Sequence, residues 1–246
     1  MVVDSVQTPR DLQPTGGRPW LDWEGVERDL FEQGHARVPG LLGSQTCADL
    51  AGMYDDEGLF RSRIVMAKHA YGSGEYRYFA DPLPPVVAGL REALYARLAP
   101  IADRWNEALR VKRRYPAEHA AFRAQCHAAG QTRPTPLLLR YREGDYNRLH
   151  QDVYGEHVFP LQVVVLLAQP GPDFTGGEFI LTEQRARMQS RAEVVELAQG
   201  DAVIFAVRER PVAGARGMSR AVLRHGVSRV RSGLRHTLGV IFHDAA

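Results

Sequence analysis

The sequence predicts a mainly β protein with helical cover, in which an eight-stranded double-stranded β-helix, or jelly roll, packs against N-terminal helices. Three observations lead to this prediction. Apolar positions in the first 130 residues mostly follow helical spacing. From Pro136 onward the pattern changes to short β segments separated by turn residues. The most apolar of these segments has no polar face, so it must be covered on both sides.

One domain accounts for the length. The chain has 246 residues, 44% of them hydrophobic, which suffices for a full core in a single unit. Residues 1–18 carry proline and glycine without periodicity, and we expect them to form a flexible tail. We expect residues 19–246 to form one domain, with residues 19–130 as helical support and residues 131–246 as the jelly-roll core.

The sequence also indicates the environment of the protein. It contains no apolar run of membrane-spanning length and no visible signal peptide, so we expect a cytoplasmic protein without a membrane partner. Cys47 and Cys126 lie far apart and outside any metal-binding spacing, which indicates reduced thiols. The oligomeric state stays open.

The N-terminal half is predicted to contain helices around one short strand. Gly34 is placed to end the first helix, and Ser44 is placed to cap the second. The predicted helices cover residues 20–33, 44–54, 87–110 and 117–129, and the predicted strand covers residues 36–42.

Residues 55–85 mix charged, aromatic and glycine residues without a regular period. A stretch of this length and composition is often a binding loop or lid, so we expect a loop-rich lid here. Its candidate contact residues are Tyr71, Tyr76, Tyr78 and Arg63. Alternatively, these aromatic rings join the helical layer to the sheet.

From Pro136 onward, eight β segments are separated by turn residues, which is typical of a sandwich or jelly roll. The third segment is apolar on both faces, and the N-terminal helices are its expected outer cover. The predicted strands are residues 137–141, 149–153, 158–168, 178–182, 193–197, 202–207, 221–227 and 235–243.

Two residues of metal-ligand type lie one position apart in the second predicted strand. Strand alternation should place His150 and Asp152 on one face and Gln151 on the other. His225 lies in the seventh strand, which Greek-key winding brings beside the second. Two histidines and one carboxylate would then occupy one face of a metal ion and leave the other positions open.

Three other histidines compete for the ligand role. His236 should point away from the face that Arg235 and Thr237 share, and His157 lies in a turn beyond a strand end. His243 lies at the far end of the last strand and is interpreted as a structural residue.

Arg235 follows His225 by ten residues, and Thr237 shares its face. A buried arginine without a partner is costly, so one that points into the roll implies an anionic guest. A dicarboxylate fits, with one carboxylate gripped by the guanidinium and the threonine hydroxyl. Tyr141, in the first predicted strand, could add its phenol to that carboxylate.

The net charge of +2 conceals an uneven distribution. From Asp201 to the end there are eight arginines against three acidic residues. Such a region suits a polyanion, because guanidinium groups bind phosphates in a bidentate way. The alternative is that arginine serves simply as the general cation throughout this chain.

The order of HxD, His, and then Arg ten residues later followed by a hydroxyl residue resembles the 2-oxoglutarate/iron(II) oxygenases. Residues 140–145 leading into 149–152 are similar to the metal-binding strand pair of the DNA-alkylation-repair dioxygenases. The glycine pair within 174–179 and the ten-residue spacing look more like the prolyl-hydroxylase branch. From about Trp20 the chain resembles a family of bacterial oxygenases described as acting in oxidative demethylation of damaged DNA, through residues 131–136, 155–162 and 181–185.

This resemblance implies iron(II) as the metal and 2-oxoglutarate as the cosubstrate, with hydroxylation of a C–H bond and release of formaldehyde from an N-methyl group. It makes the triad the catalytic centre, with Arg235, Thr237 and Tyr141 as cosubstrate residues. The lid residues would then hold an alkylated base of DNA or another nucleic acid. One departure concerns Thr237 and Ile241, because repair demethylases usually have asparagine and a second arginine at these places.

Two other functions stay open. One is hydroxylation of a protein side chain or small molecule by the same centre. The other is a hydrolase or ligand sensor that uses a metal on a similar roll. Arg235 disfavours this last function, because a zinc hydrolase needs no buried clamp for a dicarboxylate.

Overall fold

A computed structural model describes residues 21–214 and 217–246. The expected flexible tail, residues 1–18, lies outside the described residues, as does the first residue of the predicted first helix. The α-helices of the described ranges are α1 Trp23–Gln33, α2 Ser44–Gly52, α3 Pro85–Ala108 and α4 His119–Ala128.

Local sequence accounts for both ends of α1. The Asp22 carboxylate accepts a hydrogen bond from the Gly25 amide at 2.9 Å, and Gly34 ends the helix in a left-handed conformation with φ 80°. The predicted end at Gly34 is therefore confirmed. The predicted cap at Ser44 is wrong, because Ser44 is the first helical residue of α2 and the extended Gly43 precedes it without a side-chain cap.

Strands outnumber helices in the described ranges. They are β1 His35–Val38, β2 Phe60–Val65, β3 Gly72–Ser73, β4 Glu75–Phe79, β5 Leu137–Arg142, β6 Tyr146–His150, β7 Leu161–Leu166, β8 Phe174–Gly176, β9 Phe179–Arg185, β10 Arg191–Val195, β11 Ala202–Ala206, β12 Glu209–Gly214, β13 Gly217–Val227 and β14 Val230–Val240.

These strands form two antiparallel sheets. The larger has the order β1-β11-β7-β14-β5-β4-β2, with β8 paired to β14, and the smaller has the order β10-β9-β13-β6-β3, with β12 paired to β13. From β5 to β14 the chain passes repeatedly between the two sheets, as it does in jelly rolls. Each of the eight strands predicted after Pro136 overlaps an observed strand, and β8 and β12 are additional strands in that part of the chain.

Strand β7 is buried along its whole length and shows how the layers meet. Val163 and Val165 belong to a core cluster that also contains Leu30 of α1 and Leu94 of α3. Val164 belongs instead to a cluster with Phe179 of the smaller sheet. The two faces of this strand therefore contribute to different core clusters, as expected of a strand without a polar face.

Residues 55–85 contain three strands, so the prediction of a loop-rich stretch is wrong. Strand β4 pairs with both β2 and β5 and thereby extends the larger sheet, while β3 pairs with β6 of the smaller sheet. The alternation is hard to see in the sequence because both faces of β4 carry large polar-tipped side chains. Arg77 lies over the Tyr54 ring at 5.0 Å, whereas Tyr76 and Tyr78 line a cavity.

Two sequence expectations concern chemistry away from the sheets. Cys47 and Cys126 are buried free thiols, as predicted. Among the described residues, no helix is both long enough and apolar enough to cross a membrane.

Candidate metal centre and adjoining cavity

Strand pairing brings two of the predicted ligands together. In the antiparallel pair β6 and β13, His225 lies opposite His150. This is the predicted contact between the second and seventh predicted strands, and it is confirmed. Gly226 permits the close approach, because a Cβ atom there would lie only 2.7 Å from the Asn147 carbonyl oxygen.

The third predicted ligand reaches the same place by a different route. The strand predicted to extend to residue 153 ends at His150, so Asp152 lies beyond it. Gln151 anchors this exit, because its amide donates a hydrogen bond to the Leu223 carbonyl oxygen of β13 at 2.7 Å. Strand alternation was therefore the wrong reason for expecting Asp152 beside His150, although the two residues do converge.

The ligand atoms of His150, Asp152 and His225 all lie within 4.8 Å of one another. The Nε2 atom of His150 is 3.6 Å from Asp152 Oδ1, and the Nε2 atom of His225 is 3.4 Å from Asp152 Oδ2. Two imidazoles and one carboxylate form the donor set of a facial triad. One ion between these atoms would therefore have three protein ligands.

Hydrogen bonding and burial favour the ligand forms of these side chains. His150 Nδ1 lies 2.7 Å from the Arg148 carbonyl oxygen, which leaves Nε2 free for a metal. Burial lowers the pKa of His225, and the neighbouring His150 lowers it further. Burial would raise the pKa of Asp152, but its hydrogen bond with His225 and the charges of both histidines outweigh burial and hold that pKa below its usual range. Neutral imidazole and ionised carboxylate are the forms that bind metals.

Asp152 also has two hydrogen-bond donors that were not predicted. Tyr154 donates its hydroxyl proton to Oδ1 at 2.7 Å, and the Gln162 amide donates to Oδ2 at 2.8 Å. The sequence carried a signal for one of them, because Gln162 is a polar residue within the apolar strand β7, where a buried amide needs a partner.

A cavity of about 360 Å³ adjoins the triad. Its lining includes the predicted contact residues Tyr71, Tyr76 and Tyr78. The fourth predicted contact residue, Arg63, does not line the cavity, because its guanidinium is engaged outside it and donates a hydrogen bond from Nε to Glu75 at 2.6 Å. The aromatic part of the predicted contact surface therefore lies at the cavity, and the cationic part does not.

The predicted cosubstrate residues line the same cavity. Arg235 and Thr237 are each only 2% exposed, and Tyr141 lies opposite Arg235 across the β5 and β14 pair. The Nε and Nη1 atoms of Arg235 are buried without a hydrogen-bond partner. Burial lowers the pKa of Arg235 to about 10. A buried guanidinium with free donors in a cavity wall is suited to hold an anion.

The competing histidines lie elsewhere. His236 packs beside Tyr54, with their ring centroids 5.8 Å apart, on the face of β14 opposite Arg235, as predicted. His243 is fully buried, and its Nδ1 atom accepts a hydrogen bond from the Phe159 amide at 3.3 Å. His157 is bound through its backbone to Gln131. Across residues 21–214 and 217–246, the triad is the single cluster of three or more metal-ligand groups.

Several of the eight arginines from Asp201 onward are buried or paired with a glutamate. Arg210 is buried and forms an ion pair with Glu183 at 2.6 Å. Arg220 is 3.1 Å from Glu209. Since Arg235 is buried as well, the excess of positive charge in the sequence overstates the charge that is free to meet a polyanion.

Comparisons with known proteins agree with this geometry. A family model described as "Oxygenase, catalysing oxidative methylation of damaged DNA" matches residues 74–245. The uncharacterized protein Rv2227 of Mycobacterium tuberculosis (strain ATCC 25618 / H37Rv) is 51% identical over 191 residues, which cover 76% of this chain and 82% of the relative.

Two solved structures share the fold. One is an oxidoreductase of the 2OG-Fe(II) oxygenase family from Burkholderia pseudomallei, with a TM-score of 0.54, 16% identity and coverage of 95% of each chain. The other is a prolyl hydroxylase from Trichoplax adhaerens in complex with a peptide fragment of a hypoxia inducible factor, with a TM-score of 0.55, 13% identity and coverage of 90% of this chain and 89% of that chain.

Proposed function

Because the chain belongs to the family of oxygenases described as catalysing oxidative methylation of damaged DNA, we propose that it is an iron(II)- and 2-oxoglutarate-dependent oxygenase that demethylates alkylated nucleic acid bases. One observation carries the proposal. A triad of two histidines and a carboxylate opens onto the same cavity as a buried arginine with unpaired donors.

The donor set fits iron(II). His150, Asp152 and His225 would supply three ligands and leave the remaining positions for cosubstrate, as in facial-triad oxygenases. When bound, iron(II) and 2-oxoglutarate would activate dioxygen, so that one oxygen atom oxidises 2-oxoglutarate to succinate and carbon dioxide and the other hydroxylates a C–H bond. The side chains that line the cavity would orient the bound groups.

The fit to 2-oxoglutarate rests on Arg235. Its unpaired Nε and Nη1 atoms can donate to the carboxylate remote from the metal, while the Thr237 hydroxyl and the Tyr141 phenol line the same cavity. Tyr141 is also held in place, because its oxygen accepts a hydrogen bond from the Asn147 amide at 3.4 Å. A dicarboxylate would therefore satisfy donors that are costly to bury alone.

A framework of eight strands would hold these residues. We take β5, β6, β7, β9, β10, β11, β13 and β14 as the double-stranded β-helix, with four strands in each sheet. The core cluster shared by α1, α3 and β7 supports a packing role for the N-terminal helices. On this assignment the triad lies on the smaller sheet and its exit loop, and Arg235 lies on the larger sheet.

The substrate assignment rests on the aromatic wall. Tyr71 and Tyr76 offer rings on which a base can stack, and stacking tolerates any base because every base has a π face. Apart from Asp152, no acidic side chain of the described residues lines the cavity, so nothing there repels a phosphate-bearing strand. A nucleic acid substrate also agrees with the predicted cytoplasmic location.

Hydroxylation of a protein side chain or small molecule is the second candidate. Thr237 and Ile241 favour it, since repair demethylases usually have asparagine and a second arginine there. Ile241 packs with Tyr78 and Leu137 in an apolar cluster and offers no hydrogen bond to a substrate.

The test incubates the iron-loaded protein and 2-oxoglutarate with methylated single-stranded DNA, methylated duplex, and a panel of peptides and metabolites. We expect formaldehyde from methylated DNA, with turnover that falls as salt is raised, because phosphate contacts release counterions. The His225→Ala variant is the control for formaldehyde that does not come from the triad. Hydroxylation of a peptide or metabolite, with no formaldehyde from any methylated nucleic acid, would replace demethylation by the second candidate.

A further inference from the structure

A chain of hydrogen bonds connects the cavity wall to the metal triad. Tyr78 donates its hydroxyl proton to the Tyr154 hydroxyl oxygen at 3.1 Å, and Tyr154 donates its own proton to Asp152 Oδ1 at 2.7 Å. Tyr78 belongs to β4 and Asp152 to the exit from β6, so the chain crosses from one sheet to the other. A donor that also accepts a hydrogen bond is polarised and donates more strongly.

Asp152 needs such an anchor because of its place in the fold. It lies past the end of β6, where no strand ladder orients the backbone. Its side chain is held instead by Tyr154 at Oδ1 and Gln162 at Oδ2. Both carboxylate oxygens are therefore hydrogen-bonded before any metal arrives.

Tyr154 is itself held from behind. The buried Gln131 side chain donates a hydrogen bond to the Tyr154 carbonyl oxygen at 2.8 Å and another to the Asp244 carbonyl oxygen at 2.7 Å. The side-chain oxygen of Gln131 accepts a hydrogen bond from the His157 backbone amide at 2.7 Å. The segment that follows Asp152 is thus fastened to the C-terminal end of the chain.

We propose that Tyr154 is a positioning residue that sets the orientation of the Asp152 carboxylate for the metal, and that Tyr78 supports it from the cavity wall. This inference rests on the proposed function, because it assumes that the triad holds a divalent metal. Groups that hydrogen-bond to a metal ligand orient that ligand, and their loss typically costs roughly ten- to a hundredfold in metal affinity. Tyr78 then has two roles, since it lines the cavity and supports a ligand.

The alternative is that Tyr154 only fills space. Tyr154→Phe separates the two accounts, because phenylalanine keeps the ring and removes only the hydroxyl group. A packing role predicts wild-type metal affinity in that variant. A positioning role predicts a loss.

The experiment measures binding of cobalt(II) to the metal-free full chain by visible absorption, with no substrate present. We expect Tyr154→Phe to weaken binding by roughly tenfold or more and to change the absorption bands, since the carboxylate geometry changes. We expect Tyr78→Phe alone to cause a smaller loss of affinity. Added to Tyr154→Phe it should cause no further loss, because the hydroxyl group that connects Tyr78 to Asp152 is already absent. Tyr54→Phe is the matched control, since Tyr54 packs against His236 on the face of β14 away from the cavity.

The outcomes are distinct. Failure of the wild-type chain to bind cobalt(II) would overturn the proposed function. If the wild-type chain binds cobalt(II) and Tyr154→Phe binds it with the same affinity and the same absorption bands, only the positioning role is overturned. Thermal unfolding of the metal-free proteins shows whether each variant folds, and if Tyr154→Phe does not fold, the Tyr78→Phe variant decides the question by the same measurement.

Discussion

At the residue scale, Arg235 is a buried cation of the cavity wall with two hydrogen-bond donors that have no partner. Its guanidinium is 2% exposed, and Glu178 and Tyr141 affect its pKa only through space. The rings of Tyr141 and Phe174 lie 5.5 and 5.8 Å from it. Aromatic faces stabilise a cation but offer no hydrogen-bond acceptor in the plane of the guanidinium. A carboxylate guest would supply that acceptor.

We expect Arg235→Ala to weaken binding of 2-oxoglutarate by at least about tenfold, because losing one partner of a buried charge pair costs roughly 2 kcal/mol or more. Cobalt(II) binding should be unchanged, since Arg235 is not a ligand. The measurement is a titration of 2-oxoglutarate by succinate production without substrate. Arg231→Ala is the matched control, because Arg231 is an exposed arginine of the same strand. Equal 2-oxoglutarate affinity in wild type and Arg235→Ala would place the clamp elsewhere.

Tyr76 tests the aromatic wall separately from the metal. We expect Tyr76→Ala to reduce formaldehyde release from methylated DNA severalfold to tenfold or more, since stacking on one aromatic side chain is worth about 1–3 kcal/mol per base. Succinate production without substrate should fall less. Tyr76 is better for this purpose than Tyr78, which is hydrogen-bonded toward Asp152 through Tyr154. An equal fall in both activities would mean that Tyr76 supports the centre instead of the base.

The residue types in the sequence predicted the three triad residues, but they did not predict the side chains that hydrogen-bond to them. His150, Asp152 and His225 could be found because few residue types bind iron and their spacing is restrictive. Tyr154 and Gln162 could not be paired with Asp152 in advance, because their contacts depend on the path of the loop after β6. In the sequence, Arg63 and Tyr76 look equally suited to contact a substrate. In the structure, Tyr76 lines the cavity, whereas Arg63 lies outside it and donates a hydrogen bond to Glu75.

At the element scale, the site depends on how closely β6 and β13 approach. A Cβ atom at Gly226 would lie 2.7 Å from the Asn147 carbonyl oxygen, which is backbone and cannot move without shifting the strand. The pairing of the two strands is also irregular between His225 and Val227. The glycine therefore lets His225 lie opposite His150.

We expect Gly226→Ala to separate the two histidines and weaken cobalt(II) binding by roughly tenfold or more, since metal sites tolerate ligand displacements of only about 0.5 Å. The matched control is Gly52→Ala in α2, where an added Cβ meets nothing within 4 Å and the backbone is helical. The cobalt(II) titration of both variants checks this. Unchanged affinity in Gly226→Ala would show that the strands can adjust without moving the ligands.

Elements with strong periodicity were predictable, and those with mixed faces were not. The apolar run of β7 and the helix-ending Gly34 are local sequence patterns, and the structure shows the strand and the helix end that they predict. Strand β4 alternates tyrosine with arginine, and Arg77 is buried against aromatic rings as a cation–π partner. Because both faces look polar in the sequence, the segment resembled a loop.

At the scale of the whole molecule, the C-terminal end is tied to the helical layer. Arg91 of α3 forms an ion pair with Asp244 at 2.7 Å, and the side chains are 1% and 0% exposed. His127 of α4 lies 2.8 Å from the same carboxylate. Because Gln131 links the Asp244 carbonyl oxygen to Tyr154, this ion pair lies behind the segment that carries Asp152.

This network predicts a dependence of stability on pH. Burial would raise the pKa of Asp244, but Arg91 and the other cations around it lower that pKa below its ordinary value. Its stabilising effect is therefore complete above the unfolded pKa of about 3.9 and is lost as pH falls through the lower folded pKa. We expect Asp244→Asn to reduce the free energy of unfolding by about 3–5 kcal/mol at pH 7, because it leaves Arg91 buried without its anion.

Denaturant unfolding between pH 7 and pH 3 checks this prediction. The difference between wild type and Asp244→Asn should shrink below about pH 4, where Asp244 begins to bind a proton in the unfolded state. Asp49→Asn is the control, because Asp49 is an exposed aspartate of α2. A difference that stays constant down to pH 3 would assign the stability to contacts other than this carboxylate.

The overall architecture was predictable because the spacing of apolar residues in the sequence is mostly helical before residue 130 and typical of strands after Pro136. The extra strands β2 and β4 were not, since they belong to the helical half by sequence but extend the sheet in the fold. The cavity lies where these strands meet the jelly roll, with Tyr76 and Tyr78 on one side and the triad on the other. The aromatic residues of this cavity wall were therefore predictable, but the strands that carry them were not.

We propose that His150, Asp152 and His225 together hold one catalytic iron(II). The most direct measurement is anaerobic titration of the metal-free protein with iron(II), followed by an aerobic assay of succinate production, for wild type and for His150→Ala, Asp152→Ala and His225→Ala. We expect one ion bound per wild-type chain, and loss of both iron binding and 2-oxoglutarate-dependent succinate production in each folded variant. Wild-type iron affinity and turnover in any one of these variants would contradict it.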